Sequence, residues 1–111
     1  MLDRLVSVEP GSAARAEKQV TGFPGGFPQV LLVECIAQLA GIAAAHSEEE
    51  GGLLATIDQA VFEGEAHEGD TLMVSARIVK SFGRLCLAEG CVESGGRRLV
   101  EARLTLGIGR L

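Results

Sequence analysis

From Leu99 to Ile108, the apolar residues Val100, Ala102, Leu104, Leu106 and Ile108 alternate with Glu101, Arg103 and Thr105. That period-2 pattern predicts a strand with one buried face. Leu72, Val74, Ala76 and Ile78 repeat it within the segment Thr71 to Lys80. Leu53 to Glu63 and Leu85 to Glu93 read as further strands, separated by the turn sequences EGD, SFGR and ESGGRR. At the other end, LDRLVSVE and the stretch Ala13 to Val20 flank Pro10-Gly11, which predicts a hairpin. One segment breaks the rule. Residues 30–45, VLLVECIAQLAGIAAA, are apolar without alternation and predict a single helix from Pro28 to His46, closed by SEEEGG. Proline suits the first helical position, because its missing N–H would have no partner there. The preceding GFPGGFP cannot be regular structure and predicts a constrained loop.

The order is therefore strand, strand, helix and four strands. Segregated helix and strands mean α+β with an antiparallel sheet. No linker or repeat divides the chain, so residues 1–111 are expected to form one domain. A long helix that is apolar on nearly every side must be enclosed, which predicts a curled sheet of about six strands wrapped around a central helix. Such a sheet leaves an edge strand, which dimerisation commonly covers.

Composition narrows the function classes. A formal net charge of −5 with scattered basic residues argues against nucleic acid or an anionic membrane surface. The lack of Trp and Tyr removes the usual stacking platforms for bases. The adjacent pair Arg97-Arg98 follows Gly95-Gly96 and reads as a solvated turn. Residues 30–45 approach the length that a bilayer requires, but Glu34 and Gln38 lie inside the run and no basic anchors flank it. A buried helix is expected, not an inserted one. Nothing at the N-terminus reads as a secretory signal. Cys35, Cys86 and Cys91 show no metal-ligand spacing and are expected as buried small hydrophobes in a reducing cytoplasm, with no metal bound.

Candidate chemistry centres on the helix. Glu34, Gln38, Gly41 and Ala45 are spaced by four, three and four, so they share one stripe. A carboxylate and an amide on an otherwise apolar helix require partners or an opening to a pocket. Glu34 could hydrogen-bond loop backbone, or act as a general base whose pKa is raised by apolar walls. At the loop–helix junction, glycines admit close approach of a ligand, and the first amides of the helix suit a developing oxyanion or a thioester carbonyl. His46 falls at the helix C-terminus and His67 in the turn AHEGD; both are weak candidates.

The segment FPGGFPQVLLVECIAQLAG resembles the loop and helix of the 3-hydroxyacyl-acyl-carrier-protein dehydratases, a hot-dog-fold family. Phe23-Pro24-Gly25, Pro28, Val30-Leu31, Glu34, Ala37-Gln38 and Gly41 fit the family pattern. LDRLVSVEPG and LATIDQAVFEGEAHEGD resemble the strands on either side, so the likeness covers nearly the whole chain. The resemblance implies a homodimer, or a higher oligomer of dimers, with each site at the dimer interface. It implies a substrate carried as a thioester on the phosphopantetheine of acyl carrier protein or coenzyme A, and no other cofactor. It makes Glu34 catalytic and Gly22, Phe23, Gly25, Gln29, Val30 and Gln38 substrate-binding, in fatty-acid or related lipid metabolism.

The chain departs from that pattern at the family's catalytic His, where Gly22 stands before Phe23-Pro24-Gly25. The loop is several residues shorter than the family's, and Gln29 replaces a Gly. Loss of a general base typically costs two to four orders of magnitude. Three readings follow: a dehydratase whose base comes from elsewhere, such as His67 or a partner subunit; a thioesterase using Glu34; or a non-catalytic acyl-binding subunit.

Overall fold

In the computed structural model the elements run β1 (Arg4–Glu9), β2 (Ala13–Gln19), α1 (Gln29–Ala44), β3 (Glu50–Phe62), β4 (Thr71–Phe82), β5 (Leu85–Ser94) and β6 (Arg97–Arg110). Residues 2–45 and 50–110 are described. The strands form one six-stranded sheet in the order β1-β2-β4-β5-β6-β3, and every neighbouring pair is antiparallel. The sheet curls around α1 as a half-barrel, which is the hot-dog architecture. The helix is shorter than the apolar run predicts. Its last turn meets the β1–β2 turn, where Gly11 N–H donates to Ala43 O at 2.7 Å, and Ala45 is already extended. His46 lies outside the described residues. Strand β3 starts at Glu50, before the expected Leu53, because Gly51 and Gly52 pair with Gly109 and Ile108 through backbone alone.

The trough that holds the helix is made by small residues in register. Ala14 pairs with Ala76, Ala76 with Gly90, Gly90 with Ala102, and Ala102 with Ala60, a row across five strands. Larger side chains dominate the flanking rows: Val74, Val92 and Val100 on one side, Ile78 and Leu104 on the other. Ile36 of the helix presses into the low row, so close that a Cβ on Gly90 would lie 2.5 Å from Ile36 Cγ2. Leu32, Ile36 and Leu39 are fully buried. Each such burial stabilises by roughly 1.5–3 kcal/mol. No side chain caps the helix N-terminus, so packing on the sheet holds this 16-residue helix.

The helix is not enclosed on every side: Val30, Glu34, Gln38 and Ile42, spaced by four, are exposed. The half-barrel closes over the other faces and leaves this stripe open. Gly41, placed on that stripe by its spacing, is instead buried against β3, and the row continues through Ile42.

Both sheet edges are apolar. β1 exposes Leu5, Val6 and Val8, while the much longer β3 exposes Leu53, Ile57, Val61 and Phe62. Leu53 is 78% exposed, the most of any large hydrophobic residue among the described residues. Register shifts at Leu54/Thr56 and Ile57/Gln59 mark two irregularities in β3, of the kind that bend a strand and increase its twist.

Candidate functional site

The loop joining β2 to α1 has few ways to satisfy its backbone, and the turn between β3 and β4 supplies most of them. Val20 N–H donates to Asp70 O at 2.9 Å, Gly69 N–H to Val20 O at 2.8 Å, and Phe27 N–H to Ala66 O at 2.9 Å. Between those anchors, Gly22 N–H and Phe23 N–H donate to the two oxygens of the Glu68 carboxylate at 2.9 and 2.8 Å. Gly22 sits at φ +81° and Gly26 at φ +103°. Both conformations are readily open only to glycine. The Phe23 ring meets Phe27 edge-on, with centroids 4.8 Å apart, and Phe27 is buried. The loop thus ends on a fixed aromatic plug directly before the helix.

Pro28 opens α1 with φ −56° and ψ 134°, and no acidic side chain stands in the first turn. Leu31 N–H donates to Pro28 O at 3.0 Å, leaving the amides of Gln29 and Val30 at the exposed, positive end of the helix dipole. One turn on, Glu34 lies on the same exposed stripe as Val30; Gln38 follows one turn later. At a rise of about 1.5 Å per residue, Val30 and Glu34 are offset by roughly 6 Å along the axis. Gln38 Oε1 accepts from Leu2 N–H at 3.3 Å, so the N-terminal segment crosses the far end of the stripe.

The predicted residues lie along the loop and the helix that follows it. Gly22, Phe23 and Gly25 lie on the loop, Gln29 and Val30 at the helix start, Glu34 and Gln38 along the helix. Chain direction alone orders them, which is why sequence could list them. It could not list Glu68, whose bonded partners are 46 and 45 residues away.

His67 occupies the turn that carries Glu68. Its Nδ1 lies 4.0 Å from Asp70 Oδ2 and its Nε2 3.9 Å from Glu65 Oε2, and its own N–H donates to Asp70 Oδ2 at 2.8 Å. Among the described residues, no group of three or more His, Cys, Asp or Glu converges as a metal would require. No helix is long and apolar enough to cross a membrane.

Two grooves lie elsewhere. A groove of about 370 Å³ runs over the outer face of the sheet, between Arg15, Ser75, Arg77, Glu89, Cys91 and Arg98. A second, about 270 Å³, sits by Ala44 and Cys86 at the C-terminal end of the helix. Neither is lined by Glu34. The cysteines form no disulfide; Cys35 and Cys86 are buried as expected. Cys91 is not: it is half-buried on the outer face, with Sγ 3.1 Å from Ser75 Oγ. It lies five positions after inward-facing Cys86, so strand alternation turns it outward.

Comparison with known proteins gives two kinds of likeness. No protein-family profile matches the chain. The chain is 33% identical over 122 residues to the 3-hydroxyacyl-acyl-carrier-protein dehydratase FabZ of Bacillus subtilis, covering 98% of this chain and 86% of that protein. It is 34% identical over 124 residues to the protein of the same name from Listeria monocytogenes, covering 100% and 86%. Both alignments are longer than the 111-residue chain, so these relatives carry residues that it lacks. By shape it resembles a protein from Streptococcus mutans bound to acetyl-CoA (TM-score 0.80, 16% identity, 96% and 88% of the two chains). It also resembles a hypothetical thioesterase from Streptococcus pneumoniae with coenzyme A (TM-score 0.79, 13% identity, 96% and 85%).

Proposed function

Because the chain belongs to the 3-hydroxyacyl-acyl-carrier-protein dehydratase family, we propose that it removes water from a 3-hydroxyacyl thioester carried on acyl carrier protein or coenzyme A. The observation that carries this reading is the placement of Glu34: one turn beyond an uncapped helix start, on an exposed stripe and outside the linings of the two grooves described above. The amides of Gln29 and Val30 take the thioester carbonyl, whose oxygen gains negative charge as the α-proton leaves. Glu34, as the carboxylic acid, gives a proton to the β-hydroxyl. The Cα–H and Cβ–O bonds break, the C=C bond forms, and water departs.

The α-proton needs an acceptor, and Gly22 has no side chain to supply one. His67 takes that role in this reading: its turn is hydrogen-bonded to Gly22 and Phe23, and Asp70 lies beside its Nδ1. Gly22, Phe23 and Gly25 line the approach for phosphopantetheine, and Val30 and Gln38 flank the acyl chain. A second copy of the chain completes the site. It covers the stripe of Val30, Glu34, Gln38 and Ile42 and pairs with the edge of β3, giving a homodimer, or dimers assembled further, in the cytoplasm.

One feature favours a second reading. With Gly22 where the family pattern has His, Glu34 could activate water for thioester hydrolysis without another base. The products decide. Pure protein is incubated with 3-hydroxyacyl and saturated acyl thioesters, on both carriers, and assayed for enoyl thioester and free thiol. Enoyl product is expected, with Glu34→Gln lowering kcat by about 10²–10⁴-fold and His67→Ala lowering it comparably. Free thiol from saturated substrate would move the assignment to hydrolysis. Saturable binding without turnover would make the chain an acyl-binding subunit. Turnover that survives Glu34→Gln would remove Glu34 from the site.

A further inference from the structure

The contacts of the β2–α1 loop assign a role to Glu68. We propose that it is a positioning residue for the thioester site, an inference that rests on the reading above. It acts on the loop and not on the substrate.

Of the five hydrogen bonds that tie this loop to the turn between β3 and β4, three are backbone to backbone and sit at its two ends. The two in the middle go to one side chain, the Glu68 carboxylate, at 2.9 and 2.8 Å. The positive φ of Gly22 turns its N–H and that of Phe23 toward the same side, making a small concave pair of donors. A carboxylate is the acceptor that fills such a pair best, one oxygen to each N–H, and charge makes both bonds stronger than neutral ones. Phe23 is thereby held where its ring packs edge-on against Phe27. Phe27 is buried and bonded to Ala66, and Pro28 follows it into the helix. Glu68 therefore sets the near end of a short chain of contacts that finishes at the amides of Gln29 and Val30. Without it, both donors turn to water and the loop gains freedom where the carrier arm must pass.

The position is exposed, so a substitution there leaves the core intact. Glu68→Ala removes both acceptors; Glu68→Gln keeps one oxygen acceptor. Amide hydrogen exchange of Gly22 and Phe23 is followed by NMR in the full chain, beside steady-state kinetics and the thermal midpoint. The expected result is exchange at least tenfold faster in Glu68→Ala, with the midpoint nearly unchanged. kcat/KM is expected to fall about tenfold, mainly through KM, and Glu68→Gln to fall between Ala and Glu on both readouts. A purely structural role would not produce that KM-weighted loss at constant midpoint. Unchanged exchange would show that the carboxylate does not hold the loop. Faster exchange with unaltered kinetics would overturn the positioning role while leaving the clamp. Wild-type protein that neither turns over nor binds an acyl thioester would sink the functional reading, and the exchange data would still report on the clamp.

Discussion

Burial decides the chemistry of the cysteines. It pushes the Cys35 thiol up to about 11 and raises the Cys86 thiol in the same direction. The thiolate is the nucleophile, so at pH 8 a thiol of pKa near 11 is about one part in a thousand reactive. Native protein treated with iodoacetamide at pH 8 should lose Cys91 first, with Cys35 and Cys86 reacting only after unfolding; mass mapping showing equal labelling of Cys35 would contradict this. Asp58 offers a pH test of opposite sign. The Thr105 hydroxyl, then that of Thr56, donates to its carboxylate, each at 2.8 Å, and together they hold its pKa below the ordinary Asp value. A lowered folded pKa means stabilisation that is present above about pH 4 and lost as the pH falls below it. Asp58→Ala should therefore lower the thermal midpoint at pH 6, and the gap from wild type should shrink toward pH 2. An unchanged gap across that range would show that the two hydroxyl bonds do not favour the ionised form. Glu34 was legible in the sequence because an ionisable group stands out in an apolar run. Cys91 was misread because cysteine composition says nothing of which sheet face is covered, and the clamp at Glu68 was illegible because its donors are remote in sequence.

Strand alternation reveals which residues face inward; it marked β4 and β6, while turn sequences delimited the other strands. It does not reveal that five inward positions on five strands would align as a row of Ala and Gly. That row depends on register, which only the folded ladder fixes. Gly41 shows the same limit: its helical spacing grouped it with Glu34, while packing turned it against Gly52. A Cβ added at Gly41 would lie 2.8 Å from Gly52 N and 2.9 Å from Gly52 Cα. Two effects then compete in Gly41→Ala. Alanine improves helix propensity by about 1 kcal/mol. Overpacking costs typically 1–3 kcal/mol, and the obstacle is backbone, which cannot rotate aside. Overlap should win, with a net loss of up to about 2 kcal/mol and a midpoint lower by a few degrees in a calorimetric scan. A stabilised variant would mean that helix and edge strand separate at little cost.

A six-stranded half-barrel with a 13-residue edge strand and an uncovered helix stripe is an incomplete surface. Long apolar edges invite pairing, and natural proteins blunt or cover them. β1 is six residues long, whereas β3 runs for 13 and carries the four exposed hydrophobic residues from Leu53 to Phe62. β3 also packs against the helix through the Gly41–Gly52 contact, and the proposed second copy covers both this edge and the Glu34 stripe. The functional reading therefore ties activity to assembly. Lysine at Ile57, which is 46% exposed, places a charge at the middle of the edge without touching the buried core. Ile57→Lys should shift the sedimenting species from dimer toward monomer at micromolar concentration. Turnover per chain should fall with the dimer fraction, recovering as protein concentration rises. Concentration-independent turnover in a monomeric Ile57→Lys protein would mean that one chain carries a whole site, and Glu34 would then have to find its pocket within a single half-barrel.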